Sequence, residues 1–124
     1  MIVTGAFLAD AAAEVTGALN IWRGVLFDFT VGSDRSLRRT LVILTQRDSG
    51  SPDPTISVEV INPDGEVNTR FHWDVPDTIA NSEVGYYYST VQFECPEDGR
   101  YVIVVKSGVD SGVALPLVVH AAPE

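Results

Sequence analysis

Cysteine and basic residues are scarce in this chain of 124 residues. The one cysteine, Cys95, excludes an internal disulfide and any metal cluster built from cysteines alone. Only eight residues are Lys or Arg, against 17 Asp or Glu, so the formal net charge is -9. Clustered Lys and Arg bind the phosphate backbone of nucleic acids and the surface of anionic membranes. This charge balance therefore argues against nucleic acid and membrane as partners.

Long apolar runs are also missing. No uncharged apolar stretch reaches the roughly 18 residues that a membrane-spanning helix needs. The apolar start of the chain does not match a secretory signal, because no Lys or Arg precedes it and Asp10 interrupts it. We therefore expect a cytoplasmic protein. With 45% hydrophobic and 20% charged residues, the composition is that of a packed globule, and the length predicts a single domain over residues 1–124.

The common motifs of catalysis and nucleotide binding are absent as well. The sequence has no G-x-S-x-G elbow, no phosphate-binding G-x-x-x-x-G-K-[ST] loop and no G-x-G-x-x-G fingerprint. His72 and His120 lack the spacing of metal ligands, and no acidic turn has the pattern of a calcium loop. We expect no metal, no cofactor and no catalytic residue. An enzyme would instead need a pocket that gathers His72 or His120 with carboxylates.

The pattern that dominates the sequence is an alternation of apolar and polar residues, which is typical of strands with one buried face. It predicts strands over Thr55–Ile61 and Val67–Asp74, joined by the turn Asn62–Gly65. In the second hairpin, the strand that ends at Cys95 turns at Pro96–Gly99, and the alternation places the Cys95 thiol on the buried face.

Further strands are expected at both ends of the chain. Towards the C-terminus they cover Arg100–Lys106 and Val113–His120, where Pro116 predicts an edge strand or a bulge. In the N-terminal third we expect strands near residues 3–9, 19–29 and 38–46, with a bend or bulge at Gly24. The alanines of Asp10–Thr16 favour one helical turn. The Gly-, Ser- and Pro-rich residues 47–54 and 107–112 are expected to form loops.

These elements predict an all-β fold, an antiparallel β-sandwich of about 7–9 strands with immunoglobulin-like architecture and no disulfide. Two of the strands, at Leu41–Leu44 and Tyr101–Val105, are apolar on both faces. Either they lie centrally, with loops covering the outer face, or that face meets another chain.

Aromatic residues are the candidate interaction sites, namely Trp22, Tyr86, Tyr87 and Tyr88. Consecutive residues of a strand cannot all point inward, so at least one of the three tyrosines should be exposed. Exposed tyrosine and tryptophan are typical of protein interfaces. We expect a non-enzymatic protein-binding or assembly module that acts through a sandwich face or a strand edge, on a protein partner or on a second copy of itself. The alternative is a small-ligand or carbohydrate-binding module, which would need exposed, coplanar rings over a cleft.

The order of several motifs resembles that of a known family. The chain carries Ala6-Phe7-Leu8-Ala9-Asp10 near its start and Pro96-Glu97-Asp98-Gly99-Arg100-Tyr101 near its end. In this it resembles a family of short bacterial all-β proteins of unknown function, which have an N-terminal A-F-L-x-D stretch and a C-terminal P-x-x-G-R-Y hairpin. The resemblance covers nearly the whole chain. It implies the same all-β fold, supplies no catalytic residue and leaves the function open.

Overall fold

The computed structural model describes residues 1–47, 55–107 and 112–123. These residues form ten strands and one short helix: β1 Ile2–Ala9, β2 Ala11–Val15, β3 Ala18–Trp22, β4 Asp28–Val31, β5 Ser36–Gln46, β6 Thr55–Ile61, β7 Val67–Asp74, α1 Asp77–Ala80, β8 Val84–Glu94, β9 Gly99–Ser107 and β10 Val113–Ala121. The expected loops at 47–54 and 107–112 lie largely outside the described residues.

The strands form two main sheets, and the predicted all-β sandwich is confirmed. One sheet has the order β1-β5-β8, and the other has the order β4-β10-β9-β6-β7. Strands β2 and β3 pair only with each other. All pairings are antiparallel except that of β10 with β4. There are more strands than the seven to nine expected, because the N-terminal third is divided into shorter pieces.

The hydrophobic core fills the space between the two sheets, because alternate residues of each strand point inward. Tyr101 is fully buried there, and its hydroxyl donates a hydrogen bond to the Glu97 carbonyl at 2.7 Å. Cys95 is buried in the same core, as the alternation predicted. Burial raises the pKa of the Cys95 thiol to about 11, so at neutral pH the side chain is a neutral packing group.

The two strands that are apolar on both faces are central strands. β5 lies between β1 and β8, and β9 lies between β10 and β6. Val42 of β5 points away from the core together with its register partners Phe7 and Tyr88, yet it is fully buried. Its cover comes from the β2–β3 hairpin, which packs on β5. Of the two explanations for such strands, a central position with intramolecular cover therefore holds for β5 at Val42, whereas Leu44 on the same face is 40% exposed.

The predicted helical turn at Asp10–Thr16 is wrong, because residues 11–15 form strand β2. Helix propensity is a weak preference that tertiary contacts override. Here Thr16 and Gly17 both have positive φ angles, 53° and 78°, which close a tight turn and pair β2 with β3. The small alanine side chains allow this hairpin to lie close to the sheet beneath it.

The predicted single strand at residues 19–29 is also wrong, since a bend separates β3 from β4. Arg23 and Val25 have positive φ angles of 50° and 58°, so no ladder continues through them. The bend expected at Gly24 is confirmed. A Cβ atom on Gly24 would lie 2.9 Å from Ile21 Cγ2, so a larger residue here would require the Ile21 side chain to move.

Pro116 lies where one side of β10 is unpaired. β10 pairs with β9 along residues 113–119, whereas β4 joins its other side only from Val118 onward. Val118 donates its N–H towards that side, to the Phe27 carbonyl at 2.7 Å. Pro116 lies two residues before Val118, so its backbone nitrogen points to the same side of β10. That side is unpaired at Pro116, so the missing N–H leaves no ladder hydrogen bond unmade. The edge prediction is confirmed for this half of the strand.

Within residues 1–47, 55–107 and 112–123, no helix is long and apolar enough to cross a membrane.

Candidate protein interface

The β2–β3 hairpin, residues 11–22, is an arm that lies across the outer face of the three-stranded sheet. It starts directly after β1, packs on β5 and reaches β8. At β8 the Tyr86 hydroxyl donates a hydrogen bond to Glu14 Oε2 at 2.5 Å, and the backbone N–H of Glu14 donates to the Tyr88 hydroxyl at 3.3 Å. Because β8 is the last strand of its sheet, the exposed tip of the arm, residues 15–18, lies at the sheet edge.

The three tyrosines of β8 point to alternate faces. Tyr87 points towards the core and packs against Trp73, with ring centroids 5.8 Å apart. Tyr86 and Tyr88 point outward and stack on each other, with centroids 6.4 Å apart and planes inclined by 22°. The expectation that at least one of the three is exposed is wrong. All three are half-buried, because the arm covers the outward pair.

The contact with Glu14 also changes the acidity of Tyr86. The hydrogen bond to the Glu14 carboxylate, with a smaller effect of desolvation, raises the pKa of the Tyr86 hydroxyl to about 12. A carboxylate accepts the phenolic proton and disfavours a second negative charge beside it. The pair is therefore an anchor for the arm and not an open aromatic platform.

Trp22 lies apart from the tyrosines. Alternation along the arm places it on the face opposite to Glu14, where it is 52% exposed. Its neighbours in sequence Val25 and Phe27 are 69% and 63% exposed. Among the described residues, nine large hydrophobic side chains are exposed and five of them fall between residues 15 and 27: Val15, Ile21, Trp22, Val25 and Phe27. Sequence reasoning missed Val25 and Phe27, because it placed them inside a regular strand.

The base of the arm is fixed by polar contacts. The backbone N–H of Asp10 donates to the carbonyls of Trp22 and Arg23 at 3.1 and 3.2 Å. The Asp10 carboxylate forms ion pairs with Arg23 at 3.1 Å and with Arg39 at 3.4 Å. The arm is thus attached at its base through Asp10 and near its tip through Glu14.

The free edge of β8 carries unpaired backbone groups. β8 pairs with β5 along all of residues 84–94 without a register shift. At its ends, the Glu83 carbonyl accepts a bond from Arg47 on the β5 side, and the Glu94 carbonyl accepts one from the Asn68 side chain at 2.7 Å. Odd-numbered residues therefore face β5, and even-numbered residues face away from it. The backbone N–H and C=O groups of Tyr86, Tyr88, Thr90 and Gln92 point away from β5. They have no backbone hydrogen-bond partner in the part of the chain that the structure describes.

The residues along this edge of β8 do not protect it from pairing with another strand. Natural sheets protect such edges with Lys, Pro, bulges or short strands. Residues 85–93 hold no Pro and no charged residue, and the strand is 11 residues long. The open run, Tyr86–Gln92, is therefore able to accept another strand by backbone hydrogen bonding.

A cavity that contains one of the two histidines lies elsewhere, on the outer face of the five-stranded sheet. Its volume is about 330 Å³, and it contains His72 but only one carboxylate, Glu59, which is paired with Arg70 at 2.9 Å. His120 lies apart from it, at 2.6 Å from Asp28. This cavity therefore does not bring a histidine together with two carboxylates.

No protein-family model and no curated protein sequence matches this chain. The resemblance to the short bacterial all-β family therefore stays a prediction, and the function has to be argued from the geometry alone.

Proposed function

We propose that this protein is a non-enzymatic assembly module that associates with a second copy of itself by pairing the open edges of β8. The observation that carries the proposal is the unprotected backbone of Tyr86–Gln92. Strand addition at such an edge supplies main-chain hydrogen bonds without any change of fold. The two three-stranded sheets would join into one continuous six-stranded sheet.

The sequence of β8 suits antiparallel pairing with itself. The longest overlap of residues 84–94 places the two-fold axis at Ser89. Tyr88 then lies opposite the partner's Thr90, and Tyr86 lies opposite the partner's Gln92. In this register, outward backbone groups meet outward backbone groups, which the antiparallel ladder requires. An aromatic residue opposite threonine is also a favourable cross-strand pair.

Electrostatics favours this surface over others on the chain. Two copies that each carry a charge of -9 repel one another. The open run has no charge, and the acidic residues at its ends do not face each other in this register. Glu94 lies opposite the partner's Val84. Repulsion between the copies is therefore lower along this run than along strands that carry acidic side chains.

The arm adds backbone contacts to the same interface. Its tip, the exposed turn at residues 15–18, lies at the edge of β8. When the edges pair, each tip lies over the first strand of the partner sheet. Val15 does not contribute to this contact, because it follows Glu14 in the strand and therefore points away from the sheet.

A lysine at the centre of the edge tests the proposal. Lysine is one of the natural devices that prevent edge pairing, so Thr90→Lys is expected to weaken self-association by about tenfold or more. Thr30→Lys is the matched control, because Thr30 is also exposed on a strand and the change in net charge is the same. The molar mass is measured by sedimentation over a range of concentrations. The wild type and Thr30→Lys should reach the dimer mass.

Two outcomes would overturn self-association through β8. One is a wild-type protein that stays monomeric at every concentration, and the other is a Thr90→Lys variant that dimerises as tightly as the control. Amide hydrogen exchange locates the contact independently. The N–H groups of Tyr86, Tyr88, Thr90 and Gln92 should exchange slowly only at concentrations where the dimer forms.

A further inference from the structure

We infer that the cavity on the outer face of the five-stranded sheet is a binding site for a small organic carboxylate with an apolar body. The cavity measures about 330 Å³, at the small end of the range of ligand sites. Strands β7, β6 and β9 form its floor. Its lining residues are Ser57, Val58, Glu59, Arg70, Phe71, His72, Val104 and Lys106. This inference does not depend on self-association.

Strand register places the polar lining residues in two rows across the sheet. In one row Ser57 lies between His72 and Lys106, its partners on β7 and β9. The Ser57 hydroxyl and His72 Nδ1 are hydrogen-bonded at 3.1 Å. In the other row Glu59 lies between Arg70 and Val104. Directly opposed residues on one face of a sheet are close neighbours, so these side chains surround one space.

Two positive groups in this cavity keep unused hydrogen-bond donors. Lys106 is the only lysine of the chain, and it forms no ion pair within residues 1–47, 55–107 and 112–123. Arg70 donates from Nε to Glu59 at 2.9 Å, which holds its guanidinium in place. A guanidinium has five N–H donors, so the two terminal nitrogens of Arg70 remain available. In a chain of charge -9, this cavity is a local site for an anion.

The ligand class follows from what accompanies these charges. Val104 and the aliphatic parts of the Arg70 and Lys106 side chains contribute apolar surface to the lining, which a bare inorganic ion would leave unused. A highly charged ligand would be repelled by the acidic chain as a whole. A single carboxylate on a small apolar body satisfies both conditions. Its carboxylate accepts from Lys106, and it accepts from the Ser57 hydroxyl in the His72 tautomer whose Nδ1–H donates to Ser57. Its apolar body covers Val104.

Benzoate is a suitable probe, and amide chemical shifts in two-dimensional NMR are a suitable readout. Saturable shifts are expected at the amides of Ser57, Glu59, Val104 and Lys106. Hydrogen bonds to charged groups are stronger than those between neutral groups, so Lys106→Gln should weaken binding by about tenfold or more. The matched control is Arg100→Gln, which removes the same charge from the same outer face of β9 and should leave the affinity within about twofold.

Two comparison ligands decide the ligand class. Benzyl alcohol has the shape of benzoate without the charge and should bind at least tenfold more weakly. Inorganic phosphate has charge without an apolar body and should also bind more weakly. The inference is wrong if benzyl alcohol binds as well as benzoate or if the shifts do not saturate. It is also wrong if Lys106→Gln and Arg100→Gln lose affinity for benzoate equally.

Discussion

At the scale of single residues, the most unusual feature is the backbone of Val25. A β-branched residue at a φ angle of 58° is strained, because its Cβ approaches the following carbonyl. Val25 is also 69% exposed, so little packing compensates for the strain. A hydrogen bond of the next residue explains how this strained conformation is held. The Leu26 N–H donates to the Leu8 carbonyl at 2.9 Å, which fixes the chain immediately after the bend.

Replacement of Val25 by glycine is expected to stabilise the protein. The left-handed conformation costs roughly 1–2 kcal/mol for an L-residue, whereas the added chain entropy of glycine costs about 0.5–1 kcal/mol. Val25→Gly should therefore raise the free energy of unfolding by about 0.5–1 kcal/mol, measured by urea denaturation. Val118→Gly, a change at an exposed residue of a regular strand, should lower it. A loss of stability in both variants would contradict the strain argument.

At the scale of elements, the arm is attached to β8 near its tip through one residue that contacts two tyrosines. Glu14 contacts Tyr86 through its side chain and Tyr88 through its backbone. Because the pKa of Tyr86 is raised in the folded protein, this contact favours folding fully below the ordinary tyrosine pKa of 10.0. That contribution is lost as the pH rises through about 12. The arm should therefore stay attached across the physiological pH range.

Removal of the Glu14 charge tests this attachment. In Glu14→Gln, the pKa of Tyr86 should fall from about 12 towards 10.0, because the neighbouring negative charge is gone. Absorbance titration of the tyrosinate, with Tyr86→Phe to assign the transition, measures the change. Glu66→Gln, an exposed substitution in the β6–β7 turn, should leave the titration unchanged. An unaltered titration in Glu14→Gln would mean that the arm does not hold Tyr86.

The strands differ in how far the sequence alone could predict them. The β6–β7 hairpin is local: its turn and its alternation lie within 20 residues, and both predictions are confirmed. The inward direction of Tyr87 and the burial of Cys95 follow from alternation as well. The arm could not be predicted, since Ala11–Ala13 favour helix in isolation and only the sheet below them selects a strand. Nor could the open edge of β8 be predicted, because strand order depends on contacts that are distant in sequence.

At the scale of the whole molecule, charge divides the surface into regions with different partners. The net charge of -9 repels a second copy everywhere except where the surface is neutral or positive. The edge of β8 is neutral, and the cavity beside Lys106 and Arg70 is positive. The first region is suited to a copy of the chain and the second to a small anion. The two belong to different sheets, so both can be occupied at once.

Salt should act on these two regions in opposite directions. The Debye length falls from about 30 Å at 0.01 M to about 8 Å at 0.15 M, which screens the repulsion between two acidic copies. Dimerisation through a neutral edge should therefore strengthen several-fold over this range, as measured by sedimentation. Benzoate binding should weaken over the same range, because the attraction to Lys106 and Arg70 is screened. Dimerisation that weakened with salt would mean that ion pairs hold the two copies together, and the neutral run Tyr86–Gln92 would then not be the contact.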